Sequence, residues 1–446
     1  MTASSNVSAN TDWLVRSRAA VWHPCTQMKV HETLPLVPIA RGEGAWLYDF
    51  DGRRYLDAVS SWWVNLFGHA HPRIVEAIAA QARTLPHAML AGFTHAPVVE
   101  LSERLHALAP GGLGHAFYAS DGASATEIAL KMSFHYWRNR GYADKRGFVA
   151  LAGGYHGETL GALGITDVAI FRDAYAPLLR RNATVPCPDA RRGPGVVADA
   201  VAALEVELER HHATTAALIV EPLVQGAAGM VMYDPQYLVE ARSLCTRYGV
   251  HLIADEIMTG FGRTGSLFAW DQAMALASGT DDALVPDFLC LSKGITGGTL
   301  PLSCVLTRDD VYGAFYADDV ARGFLHSHSY TGNPLACSAA LAVLRLFDED
   351  DVIAVNRAKA ARWHALARPL ATHPRVRDFR RRGMIVAFEV ESVRADFARW
   401  AFAQALQREV LLRPIGNTVY FMPPYVVDDS EFSMLVERTL EIVEAA

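Results

Sequence analysis

The segment FLCLSKGITGG, from Phe288 to Gly298, places a lysine directly behind a short apolar run. Four consecutive apolar residues, Phe288 to Leu291, are typical of a strand that is buried on both faces of a parallel sheet. Lys293 follows this run, and small residues dominate the loop behind it. We therefore predict that Lys293 leaves the end of a buried strand and enters a loop in which other groups approach the backbone closely.

Three further apolar runs have the same form and also end at polar residues. They are GFVALAG, AALIV and HLIA, followed by Gly154-Tyr155-His156, by Glu221 and by Asp255. Helical patterns such as ATEIALKMSFHYWRNR lie between such runs. Strands that alternate with helices predict an α/β fold with a mostly parallel, doubly wound sheet. Because ligands of such sheets bind beyond the carboxyl ends of the strands, these polar residues are the candidates for a site.

The pattern changes toward both ends of the 446-residue chain, which predicts a second, smaller domain. GEGAWLYDFDGRRYLDAVSSWW alternates around an Asp51-Gly52 turn and predicts a β-hairpin. Helical stretches with RGMIVAFEV and VYFMPPYVV predict an α+β unit near the C-terminus. We assign 1–71 to an N-terminal hairpin segment of the small domain, 72–340 to the large domain and 341–446 to the C-terminal small domain. About the first 20 residues are expected to be loose.

Composition and charge exclude several classes of protein. Hydrophobic residues make up 51%, charged residues 20%, and the net charge is -7, as in a folded chain with a sizeable core. No basic face stands out, so neither nucleic acid nor a membrane is the predicted partner. The N-terminus has no apolar signal core, and the most apolar stretch is interrupted by Glu221, Pro222 and Gln225. Six scattered cysteines imply no disulfide framework, and a cytoplasmic protein is expected.

Lys293 and Asp255 are the combination that pyridoxal phosphate chemistry requires. A lysine in a desolvated pocket has a lowered pKa and forms a Schiff base. A carboxylate that faces the pyridine nitrogen keeps the ring protonated as an electron sink, and Asp255 is the candidate. Tyr155 is the candidate for the flat group against the ring.

The segment YASDGASATEIALKM supplies a candidate phosphate cradle. Gly122 and Ala123 open a predicted helix, whose first N–H groups and positive end attract a phosphate. Ser124 and Glu127 have the S-x-x-E spacing of a capping box. A helix that is merely well capped has the same pattern, so both interpretations stay open here.

Several motifs together resemble the class III, fold-type I aminotransferases: LIADEIMTGFGRTG, LSKGITGG and SYTGNPLACSAA. WHPCTQM, LDAVSSWW, GGYHGETLGA, IVEPLVQGAAGM and LRPIGNTVYFMPPY are similar to the adenosylmethionine–8-amino-7-oxononanoate aminotransferases of that class, which form 7,8-diaminononanoate for biotin. The resemblance extends from about Trp22 to Tyr425. It implies a fold-type I enzyme that is a cytoplasmic homodimer with shared active sites, with pyridoxal 5'-phosphate as its cofactor, no metal, and 8-amino-7-oxononanoate and S-adenosyl-L-methionine as substrates.

The resemblance also implies a role for each matched position. Lys293 would hold the cofactor covalently and later move the proton, and Asp255 would pair with the pyridine nitrogen. The implied cofactor-binding residues, the last two acting on the neighbouring subunit's cofactor, are Gly122, Ala123, Tyr155, Asp255, Lys293, His328 and Ser329. The implied substrate-binding residues, with Arg413 as the partner of the substrate carboxylate, are Cys25, Trp62, Trp63, Tyr155, Lys293, Ser327, Arg413 and Tyr420.

Four departures from the family pattern bear on the substrate and the cofactor. Ala123 offers no hydroxyl, because DGA stands where SGS is common, and HSHS, 326–329, replaces HGPT. Cys25 stands where a tyrosine is frequent at the substrate entrance, which leaves S-adenosylmethionine or lysine open as the donor, the former being expected. Ala227 stands where enzymes that use ornithine, 4-aminobutyrate or acetylornithine carry a glutamate that holds an arginine, and this favours 8-amino-7-oxononanoate.

The sequence also allows four other functions, each with less support from its motifs. GFGRTG, 260–265, matches the GxGxxG of dinucleotide-binding oxidoreductases, but Ile257, Met258 and Thr259 separate it from the preceding strand. Another class III omega-aminotransferase is the main alternative within the family. A cofactor-binding protein without catalysis would not need the Trp pair and Arg413. The histidines of HAH, RHH and HSH fit no single metal site.

Overall fold

A seven-stranded sheet forms the centre of the computed structural model, which describes residues 8–34, 36–277 and 284–446. The order is β4-β12-β11-β10-β7-β5-β6. In chain order its strands are β4 (His115–Ala119), β5 (Gly147–Leu151), β6 (Ala183–Val185), β7 (Thr215–Val220), β10 (His251–Asp255), β11 (Phe288–Leu291) and β12 (Ser303–Thr307). All neighbours pair in parallel except β12, which is antiparallel to β11 and to β4. The predicted α/β fold is confirmed.

Helices pack on this sheet and around it. Their bounds in the described residues are α1 (Ala9–Ala20), α2 (Ser60–Trp63), α3 (Pro72–Thr84), α4 (Ala96–Leu108), α5 (Gly122–Asn139), α6 (Leu160–Leu163), α7 (Ala169–Arg172), α8 (Val196–His211), α9 (Gln236–Arg247), α10 (Asp271–Leu276), α11 (Asp309–Gly313), α12 (Pro334–Glu349), α13 (Val352–Leu366), α14 (Arg368–Ala371), α15 (Phe397–Gln407) and α16 (Asp429–Glu444). One of them, α2, is a single turn whose backbone is left-handed.

Both faces of the central sheet are buried, which explains why its strands are continuous apolar runs. In β11, Phe288 and Cys290 lie in one apolar cluster together with residues of α5. Leu289 and Leu291 lie in the other cluster, on the opposite face. Successive side chains of a strand alternate between faces, so a strand with two buried faces has no polar positions.

Smaller sheets flank the central one. The first has the order β1-β2-β3-β15, the second β13-β14-β16, and the third pairs β8 with β9. In chain order these strands are β1 (Ile39–Glu43), β2 (Trp46–Asp49), β3 (Arg54–Asp57), β8 (Val224–Gln225), β9 (Val231–Met232), β13 (Val376–Arg382), β14 (Ile385–Val390), β15 (Val410–Leu411) and β16 (Thr418–Phe421).

The predicted hairpin is confirmed, and it is joined to the C-terminal part of the chain. Strands β2 and β3 pair antiparallel around the Asp51-Gly52 turn, and Gly52 has a φ of +87°. Strand β15 adds to β3 in parallel. Helix α12 crosses residue 340, where the large domain was predicted to end. The division at about residues 72 and 340 stays a prediction.

The N-terminal segment is held from residue 8 onward, so its predicted looseness is wrong there. Ser8 and Asn10 contact the carboxylate of Asp51, and the backbone N–H of Phe50 donates to Oδ1 of Asn10 at 3.0 Å. The ring of Trp13 stacks on that of Phe50 at 5.1 Å. These partners lie about 40 positions away along the chain, which a local pattern does not reveal.

The state of the cysteines and the apolarity of the helices can be read directly from the structure. Cys25 is exposed and the other five cysteines are buried, and all six are free thiols. In the part of the chain that the structure describes, no helix combines the length and the apolarity of a bilayer span.

A buried ion pair under the central sheet yields a first prediction. Arg242 Nη1 lies 2.5 Å from Asp287 Oδ2, and the N–H of Leu252 donates to the same oxygen at 2.7 Å. Removing one member of a buried pair leaves an uncompensated charge. We expect Asp287→Ala to lower the free energy of unfolding by about 3–5 kcal/mol in urea titrations.

The matched control is an exposed pair at 2.6 Å between Arg247 of the same helix α9 and Glu205 of α8. Glu205→Ala should cost less than about 1 kcal/mol, because water already solvates both charges. Equal losses in the two variants would contradict the interpretation.

Candidate active site

A cavity of about 590 Å³ lies beyond the carboxyl ends of the parallel strands. It brings together eight of the residues that the sequence predicted for the site: Cys25, Trp62, Trp63, Gly122, Ala123, Tyr155, Asp255 and Lys293. Ala227, the position of the missing acid, lines it too. The eight predicted residues come from six separate parts of the chain, so the fold rather than the local sequence brings them together.

Lys293 is held in a strained backbone conformation directly behind β11. Its φ of +46° is in the left-handed region, which costs a residue with a side chain about 1–3 kcal/mol. Gly294 follows, and a Cβ there would lie 3.1 Å from Leu66. Burial lowers the pKa of Lys293, and the nearby Asp255 and Glu221 oppose the shift without cancelling it. A desolvated amine of this kind is a nucleophile.

Asp255 ends β10 and is fixed by two donors. Nδ1 of His156 lies 2.7 Å from Oδ2 of Asp255, and the N–H of Ile257 donates to Oδ1 at 3.1 Å. Both side chains are almost fully buried. Since an ionised carboxylate only accepts hydrogen bonds, Nδ1 of His156 carries the proton of this contact. The pair presents a fixed negative charge to the cavity.

Glu221 is buried and contacts the backbone of Tyr155. Its two oxygens accept the N–H groups of Tyr155 at 3.0 Å and Gly226 at 3.1 Å. Burial raises the pKa of Glu221 to about 7, although His156 acts in the opposite direction. The hydroxyl of Tyr155 donates to Oε1 of Glu158 at 2.9 Å. Both contacts hold Tyr155 at the wall of the cavity.

The start of α5 differs from the predicted capping box. Asp121, not Ser124, is the N-cap, and its carboxylate accepts the N–H of Ser124 at 2.9 Å and the hydroxyl of Ser124 at 2.8 Å. Glu127 instead accepts donors of Thr159 and Gly161 at 2.6 and 2.7 Å, and so caps α6. The capping-box prediction fails because Glu127 accepts hydrogen bonds from residues more than 30 positions away, and the S-x-x-E spacing does not show such partners.

The predicted phosphate donors are nevertheless in place. Among the described residues nothing accepts the N–H groups of Gly122 and Ala123, which lie at the first turn of α5 and line the cavity. A Cβ at Gly122 would lie 2.9 Å from Ile257, and one at Gly157 would lie 2.5 Å from the Cβ of Ala123. The cradle is therefore made of backbone, packed too closely for larger residues.

Two tryptophans form the outer wall, and an arginine and a tyrosine contact them from behind. The Cζ atom of Arg413 lies 4.4 Å from the ring centroid of Trp62, which is 41% exposed. Trp63 is buried, its Nε1 donates to the hydroxyl of Tyr420 at 3.0 Å, and its ring lies 5.2 Å from Nζ of Lys293. No carboxylate of the described residues forms an ion pair with Arg413. Arg413 and Tyr420 thus stand behind the lining residues.

The motif GFGRTG is a buried connection and not a dinucleotide fingerprint. Arg263 is 1% exposed and donates to the carbonyl oxygens of Pro423 at 3.0 Å and Asn65 at 2.9 Å. The segment after β10 forms turns rather than passing directly into a helix. A fingerprint needs a strand that enters a helix at the glycines.

Ser327, His328 and Ser329 lie outside the cavity of this chain. Nε2 of His328 is 3.1 Å from Nε2 of His326, whose Nδ1 is 2.7 Å from Nζ of Lys131. Their assignment to a neighbouring subunit's site stays a prediction.

Sequence reasoning gave no role to His156, Glu221 or Glu158, although each contacts a predicted site residue. His156 and Glu221 follow the ends of apolar strands, and that position is the signal for them in the sequence. Glu158 had no such signal.

The cavity fits pyridoxal phosphate. It combines a desolvated amine, a fixed carboxylate, and free backbone donors at a helix N-terminus, which are the partners that an aldehyde, a pyridinium nitrogen and a phosphate require. The described residues contain no cluster of three or more metal-ligating side chains.

Comparisons with known proteins agree with this chemistry. The family model described as Aminotransferase class-III matches residues 27–443. The adenosylmethionine-8-amino-7-oxononanoate aminotransferase of Helicobacter pylori is 42% identical over 431 residues, covering 95% of this chain and 96% of that protein.

Solved structures share the fold. The crystal structure of adenosylmethionine-8-amino-7-oxononanoate aminotransferase from Methanocaldococcus jannaschii has a TM-score of 0.90 at 34% identity, covering 98% of each chain. An omega transaminase from Pseudomonas jessenii, in complex with PMP, has a TM-score of 0.89 at 25% identity, covering 97% of each chain.

The raised pKa of Glu221 predicts a pH-dependent stability. Its value is about 7 in the folded chain against the ordinary 4.5. Between these pH values the folded state keeps a proton that the unfolded chain releases, so the free energy of unfolding falls as the pH rises. Glu221→Gln removes this titration. Relative to wild type, the variant should gain up to about 3 kcal/mol between about pH 5 and about pH 8.

Urea unfolding of both proteins at the two pH values measures this gain. Glu103→Gln replaces an exposed carboxylate on α4 and should show little gain, because water solvates that group in both states. A stability difference between Glu221→Gln and wild type that is equal at both pH values would refute the assignment.

Proposed function

The chain belongs to the class III aminotransferases, and from this premise we propose that it converts 8-amino-7-oxononanoate to 7,8-diaminononanoate in biotin synthesis, with S-adenosyl-L-methionine as amino donor. Its cofactor is pyridoxal phosphate. One observation carries the proposal: a single cavity has the amine of Lys293 at its buried end and Trp62 at its exposed end, and the guanidinium of Arg413 packs against the ring of Trp62.

The residues around the buried end would hold and serve the cofactor. When bound, the group supplies an electron sink that stabilises negative charge beside the amino-bearing carbon. Lys293 would bind it covalently, and the amine of Lys293, once free, would move a proton. Asp255, oriented by His156, would stabilise a proton on the pyridine nitrogen. The N–H groups of Gly122 and Ala123 would bind the phosphate, and Tyr155 would pack against the ring.

The exposed end suits an acceptor that is apolar and carries a carboxylate at its far end. Trp62 and Trp63 offer apolar surface for the chain, and they exclude water from it. An unpaired carboxylate in such a channel would be costly, and the planar guanidinium of Arg413 matches it with two parallel hydrogen bonds. Tyr420 holds Trp63 through its hydroxyl, and Cys25 lines the same cavity. Ser327 lies outside the cavity of its own chain and would come near the substrate only in a dimer.

Another class III omega-aminotransferase is the second candidate, because the omega transaminase from Pseudomonas jessenii shares the fold at a similar TM-score. Ala227 lines the cavity where enzymes of the glutamate-using branch carry an acid. Without that carboxylate the arginine switch for glutamate is absent in that form. Ala227 and the 42% identity to the Helicobacter pylori enzyme favour the first candidate.

The donor half-reaction tests the proposal. Purified enzyme loaded with cofactor is mixed separately with S-adenosylmethionine, lysine and a simple diamine, and the visible absorbance of the cofactor is followed. We expect conversion with S-adenosylmethionine, followed by amino transfer to 8-amino-7-oxononanoate. Conversion only with diamines would favour the second candidate.

We further propose a homodimer with shared sites, in which His328 and Ser329 bind the phosphate of the neighbouring subunit's cofactor. In support, both lie outside their own chain's cavity, and the neighbouring Leu325 and Tyr330 are 80% and 61% exposed. We place the enzyme in the cytoplasm, which agrees with six free cysteines in a reducing compartment.

Lys293→Ala should leave a folded protein that binds the cofactor without a covalent bond and has no transaminase turnover. Borohydride reduction of the wild type followed by peptide mapping should label Lys293. The chain has five lysines, so the label could instead be found on one of four others: Lys29, Lys131, Lys145 and Lys359. Lys131→Ala is the control and should be labelled normally. A label on any of the four others sinks the assignment.

Arg413→Ala should raise the acceptor KM roughly 10- to 100-fold, as the loss of a charge-assisted hydrogen bond predicts. The half-reaction with S-adenosylmethionine should change little, because this donor does not place a carboxylate at that end. Arg413→Lys should recover only part of the loss, since an ammonium is a point charge.

Arg399→Ala, an exposed arginine on α15, is the control and should leave both half-reactions unchanged. Equal damage to both half-reactions by Arg413→Ala, or to neither, speaks against Arg413 as the carboxylate partner.

A further inference from the structure

Four consecutive residues without a glycine have left-handed backbone in α2. The φ angles are +51° for Ser60, +46° for Ser61, +71° for Trp62 and +73° for Trp63. Left-handed backbone is unfavourable for any residue with a Cβ, and runs of such residues are rare. Something in the surrounding structure must therefore stabilise this turn.

Asp57, the last residue of β3, is the group that bonds to the middle of the turn. Its side chain is fully buried. Oδ1 accepts the N–H of Ser61 at 2.9 Å and that of Val59 at 3.3 Å. Oδ2 accepts the hydroxyl of Ser61 at 2.8 Å and lies 3.1 Å from Nε2 of His69. One carboxylate thus satisfies four donors on both sides of the turn.

Other contacts hold only the two ends of the turn. The hydroxyl of Ser60 donates to the carbonyl oxygen of Met422 at 2.7 Å. Nε1 of Trp63 donates to the hydroxyl of Tyr420 at 3.0 Å. Backbone hydrogen bonds from Trp63 to Val59 at 2.8 Å and from Val64 to Ser60 at 2.9 Å close the turn. Among the side-chain contacts, only those of Asp57 reach Ser61 in its middle.

The turn decides where the two tryptophan rings lie. Trp63 faces Nζ of Lys293, and Trp62 lies under the guanidinium of Arg413. Asp57 also pairs in register with Leu411 of β15, two residues before Arg413. The end of β3 therefore connects the aromatic pair and the arginine in one rigid arrangement.

We propose that Asp57 is a positioning residue for the acceptor: it holds the left-handed turn that places Trp62 and Trp63 in the cavity and beneath Arg413. It does not touch the reacting atoms and acts through the turn. The effect on the acceptor rests on the proposed function, whereas the effect on the rings does not.

Asp49 provides a matched control in the same small sheet. It is 4% exposed and accepts the N–H groups of Asp51 at 3.0 Å and Arg53 at 2.8 Å and the hydroxyl of Tyr55 at 2.9 Å. These partners lie in the hairpin turn, apart from Tyr55, which is in β3. Asp49→Asn should therefore disturb a buried carboxylate without moving the tryptophan pair.

The first measurement is fluorine NMR of protein labelled with fluorotryptophan. The chain has nine tryptophans, and Trp62→Phe and Trp63→Phe assign the two signals of interest. In cofactor-loaded Asp57→Asn, these two signals should shift or broaden while the other seven stay. Asp49→Asn should leave the two signals unchanged.

The second measurement separates the half-reactions. Asp57→Asn should raise the acceptor KM by at least about tenfold, as small misplacements of binding groups do, and change the half-reaction with S-adenosylmethionine less than about twofold. If wild type shows no acceptor half-reaction, the proposed function fails, but the NMR comparison still decides the role of Asp57.

Glycine provides a rescue that only a backbone role predicts. Glycine adopts left-handed φ without a steric penalty, so Ser61→Gly added to Asp57→Asn should restore both ring signals and part of the acceptor KM. If Asp57→Asn does not fold, Ser61→Ala removes one contact of Asp57 and should shift the two signals away from their wild-type positions.

The proposal is overturned if folded Asp57→Asn, or Ser61→Ala in its place, keeps the two wild-type signals. It is also overturned if Asp49→Asn moves them equally, or if Ser61→Gly gives no rescue.

Discussion

The active site depends on the register of two neighbouring parallel strands that carry opposite charges to one edge of the sheet. Asp255 ends β10 and pairs in register with Cys290 of β11, and Lys293 follows Cys290 by three residues. Both strands are buried on both faces, so neither can slip without exposing apolar side chains. A carboxylate and an amine are thereby held at fixed positions in a desolvated cavity, where the carboxylate opposes the lowering of the amine's pKa by burial. The cradle of α5 and the wall of Tyr155 add groups around this pair.

A second part of the cavity comes from the small sheets, so the two ends of the cavity differ in chemistry. The sheet of β1, β2, β3 and β15 ends at Asp57 and leads to Arg413, and β16 supplies Tyr420 behind Trp63. The buried end of the cavity holds Asp255 and Lys293, and the exposed end has the apolar ring of Trp62 with the guanidinium of Arg413 against it. Because these parts belong to different sheets, the reacting end and the recognising end can be altered separately.

Much of the fold and half of the site follow from the sequence, for physical reasons that differ between residues. Strands buried on both faces leave continuous apolar runs, so β5, β7, β10 and β11 could be found, and with them the strand-end residues Asp255 and Lys293. Glu127 could not be placed, because its partners in α6 are distant in sequence. The left-handed turn 60–63 could not be predicted, because it contains no glycine. The side chain of Asp57 stabilises it instead.

The most direct test of this account is the protonation state of the cofactor's pyridine nitrogen. Enzyme loaded with cofactor labelled at that nitrogen with nitrogen-15 is measured by NMR, for the wild type and for Asp255→Ala. We expect a protonated nitrogen in the wild type throughout about pH 6–9, because Asp255 would pair with it, and loss of that proton in the variant. An unprotonated nitrogen in the wild type, or the same state in both proteins, would contradict it.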